Sequence, residues 1–483
     1  MTRNASETKT KIVCTLGPAT HDERVLREMI RAGMDVARVN FSHGTHDEHA
    51  MAIDTVRRLA DEEGAVVAVM ADLQGPKLRI GTLLEPVDLT HGDWISFVDA
   101  SGEASADGTH HVLPLPHPEL IHGAKVGQRL LLDDGVVEVE IREVRPDALI
   151  ARVILGGALT SHKGISAPEG SSGVRALTDK DRADARFAVE QAVDLIALSF
   201  VRAPDDVCEL RALLDKQGDA GRAIHILAKI ERREAVERFD DILPHVDAVM
   251  VARGDLGIAL SPQEVPMAQK DIIRTCNRAG VPVITATQML QSMTDSPRPT
   301  RAESSDVANA ILDGTDAVML SAETAVGRYP VEAVTMIREI SAVVEAQMRG
   351  ESDEAPFEGT VRVHPVTDAI GDATARIADR LRARLIATTT WSGYTARQIA
   401  RERPRQPIVA FTPQETVLRQ LALVWGVTPV LTPPSAGTDE MIASVTRALC
   451  DRREVETGDR IVITGGIPVG GGGKTNFIKV HTI

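Results

Sequence analysis

Apolar, β-branched runs recur at residues 11–15, 35–40, 66–72, 194–200, 225–231, 247–252, 281–285 and 316–321. Each is almost unbroken in hydrophobicity, the mark of a strand buried on both faces. Most are separated by stretches with apolar residues at three- and four-residue spacing: 22–31, 47–63, 179–191, 204–216, 268–278, 301–312 and 330–346. Several of these open with Asp or Pro, as helix starts prefer. Alternation of this kind predicts an α/β fold, a (β/α)8 TIM barrel.

The rhythm breaks between the third and fourth strands. Residues 79–175 are rich in Gly, Asp and Pro, with short apolar runs at 94–98, 129–132, 136–141 and 149–154. That texture predicts a small β-barrel inserted in a loop of the main barrel. Its position at the catalytic end predicts a lid. Residues 348–362 are polar and weakly patterned, as in a linker. Helix and strand patterns then resume: helices at 366–381, 395–401, 415–423 and 438–449, strands at 385–389, 408–411, 428–431, 460–464 and 476–481. These predict a C-terminal open α/β domain. The expected division is a catalytic barrel at 1–78 and 174–347, a lid at 79–173 and a regulatory domain at 348–483. No internal repeat stands out beyond the barrel rhythm.

The chain of 483 residues is too long for a single hydrophobic core. A net charge of −15, from 54 basic and 69 acidic side chains, argues against nucleic acid as a partner. Small anionic substrates stay open, because a local basic cluster can override the global field. Cys14, Cys208, Cys276 and Cys450 are far apart, so neither a zinc site nor a disulfide framework is expected. The N-terminal segment lacks an apolar signal core, and no run of about 18 apolar residues occurs. A cytoplasmic protein without membrane contact is the expectation.

Barrel active sites form at the C-terminal ends of the strands. Here those ends carry Arg38, Asn40, Ser42 and His43 (strand 2), Asp72 and Lys77 (strand 3), Lys229 and Glu231 (strand 5), Arg253 and Asp255 (strand 6), Thr285, Thr287 and Gln288 (strand 7), and Ser321 and Glu323 (strand 8). One charged strand end is usually a solvated terminus or a structural ion pair. Six at once are hard to set aside. Carboxylates such as Glu231 and Asp255 suit a hard divalent ion that completes its shell with substrate oxygens. Lys229, Arg38 and Arg253 suit phosphate or carboxylate groups. Lys229 and Glu231, two apart on a strand, should share the face toward the barrel axis. A metal with Lys and Arg is the equipment of phosphoryl transfer.

At these residues the sequence resembles the pyruvate kinase family. The resemblance rests on residues 11–20 (KIVCTLGPAT), 33–44 (GMDVARVNFSHG), 72–79 (DLQGPKLR), 228–231 (AKIE), 250–258 (MVARGDLGI), 284–293 (ITATQMLQSM) and 299–330, in the family's order. It implies transfer of a phosphoryl group from phosphoenolpyruvate to ADP, giving pyruvate and ATP, with Mg2+ or Mn2+ as cofactor. Lys229 resembles the family's catalytic lysine and Arg38 the arginine on the phosphoryl group. Glu231 and Asp255 resemble the divalent-metal ligands. Amides at Gly254 and Asp255, with Thr287, resemble the seat of the substrate carboxylate, Thr287 lying near the proton path to the enolate. Pro18, Asn40, His43, Arg79 and, most loosely, Lys163 resemble nucleotide-side residues. Asn40, Ser42, Asp72 and the Leu73 carbonyl resemble a monovalent-cation site. Many members carry Thr-Lys in place of Leu73-Gln74 and Glu in place of Lys77. Leu-Gln with Lys is similar to the K+-independent branch, so weak or absent K+ activation is expected. The family is usually a tetramer with dihedral symmetry.

Residues 470–475 (GGGGKT) fail the phosphate-loop pattern, because Pro468 occupies the first glycine's place. A turn between strands is the plainer reading. Thr388, Thr389, Thr390, Ser392, Gly393 and Thr395, between a strand and a helix, could hold a phosphate with Lys474 approaching from that turn. They resemble the family's effector loop and point to a phosphorylated effector. Two other readings stand beside this one: a metal-dependent barrel aldolase or lyase, which needs no ADP, and an inactive metabolite sensor. The sensor reading predicts loss of Lys229, Glu231, Asp255 or Thr287, and all four are present.

Overall fold

The computed structural model describes residues 8–99, 105–107, 110–133, 135–167, 176–348, 365–467 and 475–483. The expected junction at 173/174, nearly all of the expected linker at 348–362, and Lys474 lie outside them. Eight parallel strands close the barrel in chain order: Lys11–Thr15, Val36–Asn40, Ala68–Asp72, Leu195–Leu198, His225–Ile230, Ala248–Ala252, Val283–Ala286 and Ala317–Leu320, the last pairing with the first. Alternate residues divide between two cores. Val13, Val36, Met70, Leu227 and Met250 fill the barrel interior, while Ile12, Val69, Ile226 and Val249 pack under the helices. That period of two sets the orientation of the side chains at the strand ends.

The insert curls around one apolar core that includes Leu89, Phe97, Leu113, Leu130, Val139 and Leu149. Its strands form a seven-stranded sheet and a two-stranded ladder, with a helix at Pro118–Gly123 that the β texture did not announce. The C-terminal domain has a five-stranded sheet with apolar cores on both faces and an antiparallel edge strand, Thr475–Thr482.

The floor of the barrel carries a repeat missed in the sequence. Asp35, Asp194, Asp247 and Asp316 each stand just before an even-numbered strand. Each carboxylate accepts the backbone N–H of the preceding strand, from Ile12, Val69, Ile226 and Val283, at 2.8–2.9 Å. Fixing alternate strand pairs at their starts fixes the register of their far ends.

The C-terminal domain docks on this floor. Ala422 and Leu423 enter the barrel's inner core. Arg419 Nε donates to Asp194 Oδ1 at 2.7 Å, and Gln420 donates to the carbonyls of Asp194 and Ala223. Arg403 lies 3.3 Å from Asp316, and Lys11 Nζ donates to the Val427 carbonyl at 2.7 Å. Burial pushes the Asp194 and Asp316 carboxyls up, and Arg419 and Arg403 pull them only part of the way back. Losing a cation here strands a buried carboxylate. Arg419→Ala should therefore destabilise the protein by about 2–4 kcal/mol, read as a lower urea midpoint. A midpoint equal to the parent's would show that the Asp194 contact is not structural.

Candidate active site

Arg38, Asp72 and Lys229 are inward-facing residues near the ends of the second, third and fifth strands, one pleat above Val36, Met70 and Leu227. The sequence could therefore place them on one rim, and the structure brings them into contact. Arg38 Nε donates to Asp72 Oδ2 at 2.7 Å, and its other arm donates to Thr15 Oγ1 at 2.9 Å. Lys229 Nζ lies 3.3 Å from Asp72 Oδ1 and 2.9 Å from Glu231 Oε1. The same-face reading of Lys229 and Glu231 is what the geometry has, although the strand itself stops at Ile230.

The electrostatics follow from burial. Asp72 and Glu231 are each 1% exposed. Burial alone would raise Asp72, yet the Lys229 and Arg38 cations outweigh it and hold its carboxyl below the usual range. Burial alone would lower Lys229, but Asp72 and Glu231 reverse this and raise it, with a further contribution from Asp255. The ammonium is therefore locked in its charged form. Asp72 Oδ1 and Glu231 Oε1 face it at ion-pair distance, and among the described residues neither accepts a well-directed hydrogen bond. These are acid oxygens with coordinating capacity to spare.

That observation bears on the metal. Among the described residues, no group of three or more His, Cys, Asp and Glu could hold an ion. Mg2+ does not require one, since one or two carboxylates plus substrate oxygens suffice. Glu231, with an oxygen to spare, and Asp255, close enough to act on both Lys229 and Arg232, fit that pattern.

A second group surrounds Thr287. The MVARGDLGI segment, read only as a motif, starts a helix at Arg253–Ala259 directly after the sixth strand. The Gly254 amide donates to Thr287 Oγ1 at 2.8 Å. Thr287 and Gln288 both have positive φ, 71° and 55°, a region non-glycine residues rarely enter. Arg253 holds them there: its guanidinium donates to the Thr287 carbonyl at 2.7 Å and pairs with Asp306. Arg253, expected beside the substrate-facing cations, has this buttressing task in the structure. Glu323 is likewise structural. It is fully buried and accepts from the Leu290 and Ser321 amides.

Most of the remaining expected residues lie apart from that contact network. Asn40 Oδ1 accepts the Ser42 amide, and His43 and Pro18 are exposed. Arg79 and Lys163 lie on facing segments at the root of the lid, where the Ile80 amide donates to the Lys163 carbonyl and Arg79 to that of His162. Lys163 pairs with Asp133 at 2.9 Å. Lys77 is exposed on the loop after the third strand. In the C-terminal domain, Gly393 caps the helix Tyr394–Arg401, Thr395 bonds to Thr475 at 2.7 Å, and the buried Thr388 hydroxyl has no hydrogen-bond partner among the described residues.

Two residues on the rim were missed. Ser199 and Phe200 follow the fourth strand, Leu195–Leu198. Ser199 Oγ accepts from Lys229 Nζ at 2.8 Å, and the Phe200 amide donates to Glu231 Oε2 at 2.7 Å. Reading every strand end for hydroxyls would have found the serine. Nothing in the sequence marks the amide.

Comparison with known proteins points to one family. A family model described as the pyruvate kinase barrel domain matches residues 7–334, and one described as the pyruvate kinase alpha/beta domain matches residues 368–481. Pyruvate kinases of Geobacillus stearothermophilus and Sporosarcina psychrophila are 45% and 42% identical, each match covering 98% of this chain and 80% of the relative. Pyruvate kinase 2 of Synechocystis sp. is 43% identical, over 98% of this chain and 79% of its own length. A closed barrel, an inserted sheet, a C-terminal α/β domain and near full-length identity at this level agree: the chain belongs to the pyruvate kinase family.

Proposed function

We propose that this chain transfers the phosphoryl group of phosphoenolpyruvate to ADP, giving pyruvate and ATP, at the rim where Lys229 stands between Asp72 and Glu231. That clustering is the observation that carries the reading. Arg38 would meet the oxygens of the phosphoryl group as the ADP oxygen attacks in line. Lys229 would hold the charge shed onto the departing enolate oxygen, from a position fixed before the substrate arrives. The Gly254 and Asp255 amides with Thr287 would seat the substrate carboxylate, the threonine hydroxyl lying near the carbon that takes up the proton. Pro18, Asn40, His43, Arg79 and Lys163 would face the nucleotide, and lid closure would keep water from the phosphoryl group. Glu231 and Asp255 would hold Mg2+ or Mn2+, which when bound neutralises phosphate and enolate charge as a Lewis acid.

The test is pyruvate release from phosphoenolpyruvate, with and without ADP and Mg2+. Release that needs both is the expected outcome. Release without ADP would favour a lyase.

The reading includes weak or absent K+ activation. Two observations support it: the Asp72 carboxylate already meets two cations, and the Leu73 carbonyl already accepts the Ser199 hydroxyl at 2.7 Å. Replacing K+ by a tetraalkylammonium salt should leave the rate within a few fold. A drop of roughly a hundredfold, about 2.7 kcal/mol of barrier, would refute it. A homotetramer and a phosphorylated effector at residues 388–395 belong to the same proposal. Light scattering checks the first, and sugar-phosphate titration of the rate checks the second.

A further inference from the structure

We propose that Ser199 is a positioning residue for the phosphoryl-transfer step, holding the Lys229 ammonium in place once the metal-binding acid is engaged elsewhere. The inference rests on Lys229 acting at the transferring group.

A lysine ammonium rides on a flexible four-carbon stem and has three donors to aim. Here three groups surround it. Two are carboxylates, Asp72 and Glu231, whose facing oxygens lie within ion-pair distance but outside good hydrogen-bond geometry. They supply charge without direction. The third is the Ser199 hydroxyl, the directed hydrogen bond at 2.8 Å.

That hydroxyl has a fixed polarity. Its own proton is committed to the Leu73 carbonyl at 2.7 Å, so toward Lys229 it can only accept. Ser199 is 2% exposed, so its hydroxyl is shielded from bulk water. The arrangement is braced from the side. Gly75 packs on Ser199 and Phe200 so closely that a Cβ there would fall 3.0 Å from Ser199 Cβ and 2.7 Å from the Phe200 ring. Gly75 also has φ +68°, a conformation that favours glycine.

The consequence appears when the site is loaded. A carboxylate that takes a divalent ion turns its charge to that ion, and Glu231 then grips the ammonium less firmly. Ser199 is a neutral hydroxyl already bonded to Leu73, and the metal does not compete for it. Its bond to Lys229 therefore persists through the reaction. The next residue adds to this. The Phe200 amide holds the other oxygen of Glu231, and Phe200 sits at φ 57°, a region a bulky residue rarely adopts. One dipeptide step at the end of the fourth strand thus orients both the lysine and the acid beside it.

The experiment compares steady-state kinetics of the full-length parent, Ser199→Ala, Ser199→Thr, Lys229→Met and the double variant Ser199→Ala/Lys229→Met. Ser199→Ala is expected to lower kcat by about 10- to 100-fold, with KM for phosphoenolpyruvate within about threefold of the parent. Ser199→Thr keeps the hydroxyl and is expected to recover most of the loss. On the Lys229→Met background, Ser199→Ala is expected to cost almost nothing more, since its effect runs through the ammonium. A Ser199→Ala kcat within threefold of the parent would overturn the inference. So would an equal loss on both backgrounds, or a threonine variant no faster than the alanine one. If Lys229→Met itself kept parental activity, the site reading would fall. If it were slow while Ser199→Ala stayed fast, only the role of Ser199 would fall.

Discussion

Lys229→Met should lower kcat about a thousandfold, roughly 4 kcal/mol of barrier, with a much smaller change in KM for phosphoenolpyruvate. Methionine has nearly the length of lysine, so packing along the stem survives and the charge is lost. The ammonium is held charged by two buried acids. It therefore arrives at the transition state without a proton to gain and with little reorganisation to undergo. A preorganised cation of this kind stabilises charge that appears only as the bond to phosphorus breaks, so its removal is felt in kcat more than in binding. The same substitution leaves Asp72 and Glu231 without their shared cation, and about 3–5 kcal/mol of stability should go with it. Urea denaturation read beside the kinetics separates the two effects. A kcat within tenfold of the parent in folded protein would mean that Lys229 does not face the reacting group.

Glu231→Gln is expected to raise the Mg2+ concentration needed for half-maximal rate about a hundredfold or more, with a kcat that saturating metal does not restore. The amide is isosteric, but it has one acceptor oxygen where the carboxylate has two. Oε2 already accepts the Phe200 amide, and Oε1 faces Lys229. A glutamine that keeps the first contact must point its NH2 at the ammonium, donor against donor. Mn2+ titration followed by electron paramagnetic resonance reads the affinity without turnover. An unchanged Mn2+ affinity would remove Glu231 from the metal site.

The barrel was legible because its strands are buried on both faces, and continuous hydrophobicity survives wherever Val, Ile, Leu, Ala and Met are exchanged. Its rim was legible for a related reason: charge near the end of such a run is conspicuous, and Arg38, Asp72 and Lys229 each stand at or near the end of one. What escaped lay in contacts that need a partner's position. Arg253 looks like Arg38 in the sequence, yet its guanidinium turns back to the Thr287 carbonyl and Asp306. Ser199 is a single hydroxyl at the end of the fourth strand, and only the fold shows that it meets Lys229. The Phe200 amide has no side-chain signature at all. The aspartates at 35, 194, 247 and 316 were read as strand starts, and only the hydrogen bonds make them a repeated staple. Docking through Arg419 and Leu423 could not be inferred either, since a helix pattern reports which face is apolar and not what covers it.

The most direct measurement is anomalous diffraction from crystals of the full chain soaked with Mn2+ and phosphoenolpyruvate. The expected result is one ion touching Glu231 and Asp255, with the substrate phosphate bridging that ion, Arg38 and the Lys229 ammonium. An ion bound away from both acids, or a phosphate out of reach of Lys229, would contradict it.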